Sequence, residues 1–215
     1  MYTYITLFEI IGTIAFALSG AMKAADYDLD LFGIIIIGVT TATGGGIFRD
    51  LILGKTPPSA FANSQYVLTA AVTAFLVFCV LYIFHGKLDL GDEGREKFEI
   101  ILLLADSLGL GIFTAMGVRT AWNMYPDADM FLYVFCGVVT GVGGGLLRDT
   151  MLSCMPAIFT KHIYASACIA GAIVQVLLFR KGFYEAGLWT ATIIVVLIRL
   201  VAARRHWSLP KIPKN

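Results

Sequence analysis

Long apolar runs, each about the thickness of a bilayer, alternate with short polar joints along almost the whole chain. The runs are 4–24, 31–54, 65–84, 98–120, 130–152, 162–180 and 186–203. A transmembrane helix needs about 20 mostly apolar residues. The pattern therefore predicts seven membrane-crossing helices. The longest polar joint, "HGKLDLGDEGREK" at 85–97, is too short for a soluble domain. The expected fold is an all-α membrane protein, with 1–215 forming a single transmembrane domain. The first run lacks a basic leader and continues into "FALSGAMKAADYD", so it reads as a retained helix and not a cleaved signal.

The pattern repeats. Arg49 and Arg148 lie 99 residues apart, as do Asp50 and Asp149, Gly38 and Gly137, Thr41 and Thr140, and Pro57 and Pro156. Upstream, "EIIGTIAFALSGAMKAA" (9–25) aligns with "DSLGLGIFTAMGVRTAW" (106–122) at an offset of 97. This pairs Glu9 with Asp106, Gly20 with Gly117 and Ala24 with Ala121. Repeat one spans 4–84, repeat two spans 98–180, and the run at 186–203 has no counterpart. Three spans per repeat is an odd number, so the second copy is inverted. Inverted repeats place a pseudo-two-fold axis in the membrane plane. Permeation or binding sites then fall near the midplane, on discontinuous helices.

Each repeat carries three consecutive glycines inside an oily run, Gly44, Gly45 and Gly46 in "TTATGGGIFRD" and Gly143, Gly144 and Gly145 in "TGVGGGLLRD". A helical glycine costs about 1 kcal/mol relative to alanine. Three in a row predict a break lined by water or protein, since freed backbone groups have no partners in lipid. Exposed carbonyls there would suit a cation. The alternative is close packing, because small residues let membrane helices approach.

Arg49–Asp50 and Arg148–Asp149 follow. Sequence neighbours on a helix do not face each other, so each charge is expected to find a separate partner. By depth, one pair sits near each mouth of a pore, where an arginine would act as a charged gate. The alternative is a snorkelling arginine at a helix end. The prolines read as helix terminators. Glu9 and Asp106 are acids near the starts of equivalent helices, where the dipole favours a carboxylate. Asp106 lies deeper, and Ser19, Lys23, Asp106, Ser107 and Thr114 are the candidates for lining a pore. The small residues Gly109/Gly111 and Ala70/Ala71/Ala74 are expected to lie on exposed faces that allow tight association.

Composition agrees: 58% of residues are hydrophobic and 14% charged, against about 25% charged in soluble domains. A net charge of +1 excludes a nucleic-acid partner. Cys79, Cys136, Cys154 and Cys168 form no CxxC pair and read as apolar filler. His85, His162 and His206 are scattered, so no metal site is expected. No HExxH, GxGD or Ser/His arrangement is present, which excludes the usual intramembrane enzymes. Basic residues concentrate on the side holding the C-terminus: Lys23, Lys87, Arg95, Lys97, Arg148, Lys161, Arg204, Arg205, Lys211 and Lys214, with Arg199 near the end of the last run. The positive-inside rule puts the C-terminus in the cytoplasm and the N-terminus outside. The basic tail "RRHWSLPKIPK" would then lie on an anionic leaflet, with Trp207 at the interface.

Two GGGxxRD motifs in inverted three-span halves, followed by a seventh span, resemble the prokaryotic TRIC family of trimeric intracellular cation channels. That family overlaps a bacterial group described as glycine transporters. The resemblance covers nearly the whole chain. It implies a homotrimer in a bacterial or archaeal inner membrane, with an hourglass pore in each protomer. It also implies second and fifth transmembrane helices kinked at the glycine triplets, basic residues at the kinks (Arg49 and Arg148), no cofactor, and passive permeation of K⁺ or Na⁺. The alternative function is secondary transport of glycine or another small zwitterion.

Overall fold

The computed structural model describes residues 2–84, 92–160, 163–205 and 207. Among them nine helices run in order: α1 (Tyr2–Ala24), α2 (Leu31–Ile52), the short α3 (Ser59–Ala62), α4 (Ser64–Phe84), α5 (Asp92–Met124), α6 (Met130–Met151), the short α7 (Ala157–Thr160), α8 (Ala165–Arg180) and α9 (Tyr184–Arg204). Six are long and apolar enough to cross a membrane, and α8 is a shorter apolar helix. The chain is an all-α, multi-pass membrane protein. His85, Lys87, Lys161, His162, His206, Lys211 and Lys214 lie outside the described residues.

The helix ends repeat with the sequence. Asp30 caps α2 by accepting from the Gly33 N–H at 2.7 Å, and Asp129 caps α6 by accepting from the Phe131 N–H at 2.7 Å. These aspartates are again 99 residues apart. Each holds an amide left orphaned at a helix start. The polar joint ending at residue 97 is shorter than expected, because α5 already begins at Asp92. At 33 residues α5 is about 50 Å long and outreaches the hydrocarbon layer. Conversely α8 has 16 residues, about 24 Å, and starts later than the apolar run suggested. The short α7 ends at Thr160, before that run begins.

Helices α1, α2, α6 and α5 form a central ring, each packed on the next. Helix α4 leans on α1 and α2 as α8 leans on α5 and α6, and the unrepeated α9 closes against α5 and α8. Apart from the half-buried Ala71, the small residues expected on exposed faces are inside this arrangement. Ala70 and Ala74 are buried, and a methyl on Gly38 would sit 2.7 Å from the Ala74 Cβ. Gly109 takes the Phe16 ring, and Gly111 lies against the Thr192 backbone. They were spent on contacts within the protomer, since ring helices cross too closely for larger side chains. What faces outward is bulky: Leu68, Leu76, Val80 and Ile83 of α4 are all more than half exposed.

The expected breaks at the glycine triplets are not there. Helix α2 runs without interruption through Gly44–Gly46, and α6 through Gly143–Gly145. The triplets lie where the two helices cross. A methyl on Gly45 would overlap the Thr140 carbonyl oxygen, and one on Gly144 would overlap the Thr41 carbonyl oxygen. The contact is reciprocal about the pseudo-two-fold axis. Backbone meets backbone there, so the glycines serve approach and not unwinding.

Candidate functional site

The crossing is flanked by two buried charged clusters. Helix α2 starts beside the end of α1 and returns, which carries Arg49 to the end of the ring where α1 begins. Helix α6 finishes at the opposite end, where Lys23 of α1 meets Asp149.

Both arginines pair with their own neighbours, contrary to the expectation from helical spacing. Arg49 donates from Nε to Asp50 Oδ1 at 2.8 Å, and Arg148 does the same to Asp149 Oδ1 at 2.8 Å. Arginine's long stem lets its guanidinium swing across the about 100° between successive helical positions. The second carboxylate oxygen is taken from beyond the helix end. Asp50 Oδ2 accepts the Ser59 N–H at 2.7 Å, and Asp149 Oδ2 accepts the Ala157 N–H at 2.8 Å. Each aspartate thus ties a short helix, α3 or α7, back to the ring just after the proline. Arg49 is 7% exposed and Arg148 3%, so neither snorkels.

The Arg148 end is the more connected. Arg148 donates from Nη1 to Asp106 Oδ1 at 2.9 Å and to the Ser19 hydroxyl at 2.7 Å. Lys23 Nζ lies 2.6 Å from Asp149 Oδ1. Four helices thereby contribute to one network: α1 through Ser19 and Lys23, α5 through Asp106, α6 through Arg148 and Asp149, and α9 through Arg199. The last is 3% exposed, with Nη2 3.8 Å from Asp106 Oδ2 and its guanidinium carbon 4.6 Å above the Tyr164 ring centre. Buried charges of this kind persist only when paired and hydrogen-bonded. At the other end, Glu9 accepts from the Tyr66 hydroxyl at 2.5 Å, near Arg49 and Asp50 in the repeat.

Of the candidates for lining a pore, Ser19, Lys23 and Asp106 converge here. Ser107 and Thr114 do not. Both are buried, and Thr114 is turned toward α6, where a methyl on Gly141 would strike its hydroxyl. Sequence reasoning used Arg199 only to set orientation and did not single out Tyr66 or Tyr164. An ionisable residue within a membrane span marks a functional candidate by default, and that rule would have found Arg199.

A cavity of about 1570 Å³ opens from this network toward the end of the ring holding the C-terminus of α9. Lys23, Asp106, Arg148 and Arg199 form its floor. Asp26, Asp28, Arg95, Glu96 and Glu99 stand along it, and Phe78, Leu102, Leu103 and Ile163 supply apolar wall. Lys23, Arg95, Arg148 and Arg199, grouped on one side by the sequence, are brought to one vestibule.

Comparison with known proteins gives a consistent picture. A family model described as "Glycine transporter" matches residues 6–82 and 103–180, one segment per repeat. The UPF0126 inner membrane protein YadS of Escherichia coli strain K12 is 34% identical over 206 residues, covering 94% of this chain and 93% of that one. A structure described for conductance through TRIC cation channels superposes with a TM-score of 0.83 at 33% identity, covering 98% of each chain. The TRIC trimeric intracellular cation channel orthologue from Rhodobacter sphaeroides superposes at 0.82 with 29% identity, covering 95% of this chain and all of that one.

Proposed function

Since this chain belongs to the family described as Glycine transporter and shares the fold of the TRIC channels, we propose that it is a passive cation channel. The observation that carries the reading is the likeness, over nearly the full length, to solved TRIC cation channels at 29–33% identity. The geometry supports it. A vestibule leads in to the Arg148 network, and a buried arginine lies on either side of the tight α2–α6 crossing. The permeant ions are K⁺ and Na⁺, one pore runs through each protomer, and three protomers associate in a cell inner membrane. The N-terminus lies outside and the C-terminus in the cytoplasm. Arg148 is the gate on the cytoplasmic side. Its charge opposes a cation until the network with Asp106, Asp149 and Ser19 rearranges.

The test is single-channel recording of the purified protein in a planar bilayer under a KCl gradient. Discrete openings that reverse near the K⁺ equilibrium potential are expected. The family description favours a second reading, transport of glycine. Saturable glycine uptake by a preparation silent in the bilayer would establish that reading in place of the first.

A further inference from the structure

The vestibule floor carries more positive charge than its own acids offset. Lys23, Arg148 and Arg199 face Asp106 and Asp149, three cations to two carboxylates. The surplus is localised. Arg148 is held on several sides, whereas Arg199 makes one hydrogen bond, from Nη1 to the Ile163 carbonyl at 3.3 Å, and one long ion pair, from Nη2 to Asp106. Its Nε and Nη2 have no hydrogen-bond partner among the described residues, although the residue is only 3% exposed. The 3.8 Å from Nη2 to Asp106 Oδ2 is beyond hydrogen-bond reach. Leaving charged donors buried and unmet is costly, and this residue lines an open cavity.

Nε–H and Nη2–H share one edge of the guanidinium, and that edge matches the two oxygens of a carboxylate. The Tyr164 hydroxyl, also buried and without a hydrogen-bond partner among the described residues, belongs to the ring over which this guanidinium lies. We propose that the floor of the vestibule is a binding site for a carboxylate, seated on the Nε/Nη2 edge of Arg199. The exposed acids Asp26, Asp28 and Glu96 on the vestibule wall weaken entry of multiply charged anions. The carboxylate is therefore that of a small monocarboxylate or that of an amino acid, whose ammonium group would turn toward those acids. The site stands on this geometry alone and not on what permeates.

The experiment is equilibrium binding of radiolabelled acetate and of radiolabelled glycine to the purified full-length protein in chloride-free buffer. Bilayer conductance of the same preparation is recorded separately. Binding of either probe, weakened at least tenfold in Arg199→Gln and also weakened in Arg199→Lys, supports the site. The lysine variant keeps the charge but loses the two-pronged edge, so it remains informative if the glutamine variant does not fold. Acetate alone identifies a monocarboxylate, and glycine alone identifies an amino acid held by both ends. If neither probe binds the wild type, or if binding survives Arg199→Gln unchanged, the site is overturned. Either result leaves the conductance to be judged on its own record.

Discussion

At the scale of single residues, the glycine triplets divide by what lies opposite each position. Gly45 and Gly144 face backbone carbonyls of the partner helix, which cannot step aside. A methyl on Gly46 would meet only the Arg49 Nη2, at an ordinary 3.8 Å. Gly45→Ala and Gly144→Ala are thus expected to destabilise by about 1–3 kcal/mol or more through overpacking. Gly46→Ala should be neutral or stabilising by up to about 1 kcal/mol, from helix propensity. Thermal unfolding midpoints in detergent measure the contrast. Equal effects at all three positions would contradict the close-crossing account. Arg148 makes a second residue-scale case. Arg148→Gln should change K⁺ conductance in bilayers, while size-exclusion elution remains that of the wild type. A variant that conducts as the wild type does would remove Arg148 from the gate.

At the scale of elements, Asp50 and Asp149 do two jobs. Each neutralises a buried arginine and holds the first amide of a four-residue helix. Asp50→Ala abandons Arg49 in a site 7% exposed and releases Ser59. Breaking one side of a buried pair costs about 3–5 kcal/mol. Limited proteolysis should therefore cut the α2–α4 connection faster in Asp50→Ala than in the wild type. Asp50→Asn, which keeps a carbonyl acceptor for Ser59, should be cut more slowly than Asp50→Ala. Identical cleavage of all three proteins would mean that the tether does not hold α3.

For the whole molecule, inversion of the second repeat puts the Arg49 and Arg148 clusters at opposite ends of the ring. In the proposed orientation, with the C-terminus cytoplasmic, the turn at Asp26–Asp28 would face the cytoplasm and the segment Ser59–Asn63 would face outside. In a cysteine-free background, Asn63→Cys in intact cells should react with a membrane-impermeant maleimide. Asp28→Cys should react only after permeabilisation. The opposite pattern would reverse the orientation while leaving the fold untouched.

The apolar periodicity and the doubled motif were enough to read the all-helical membrane fold and the order of its long helices. Both depend on local chemistry: a run of about 20 apolar residues has few other stable solutions in lipid. The meeting of Ser19, Lys23 and Asp106 with the Arg148–Asp149 pair was only half legible. Their polarity marked them out, but residues 87 and 129 positions apart in the chain meet solely through helix packing. Tertiary structure also decided the points where local reasoning failed. Glycine triplets weaken an isolated helix, yet a second backbone pressed against them keeps α2 and α6 continuous. An arginine beside an aspartate has no reason to fold onto it until burial removes water as the competing partner. Arg199 looks like one basic residue among several near the C-terminus. Only the packing of α9 against α5 and α8 makes it a buried cation with an edge that makes no hydrogen bond among the described residues.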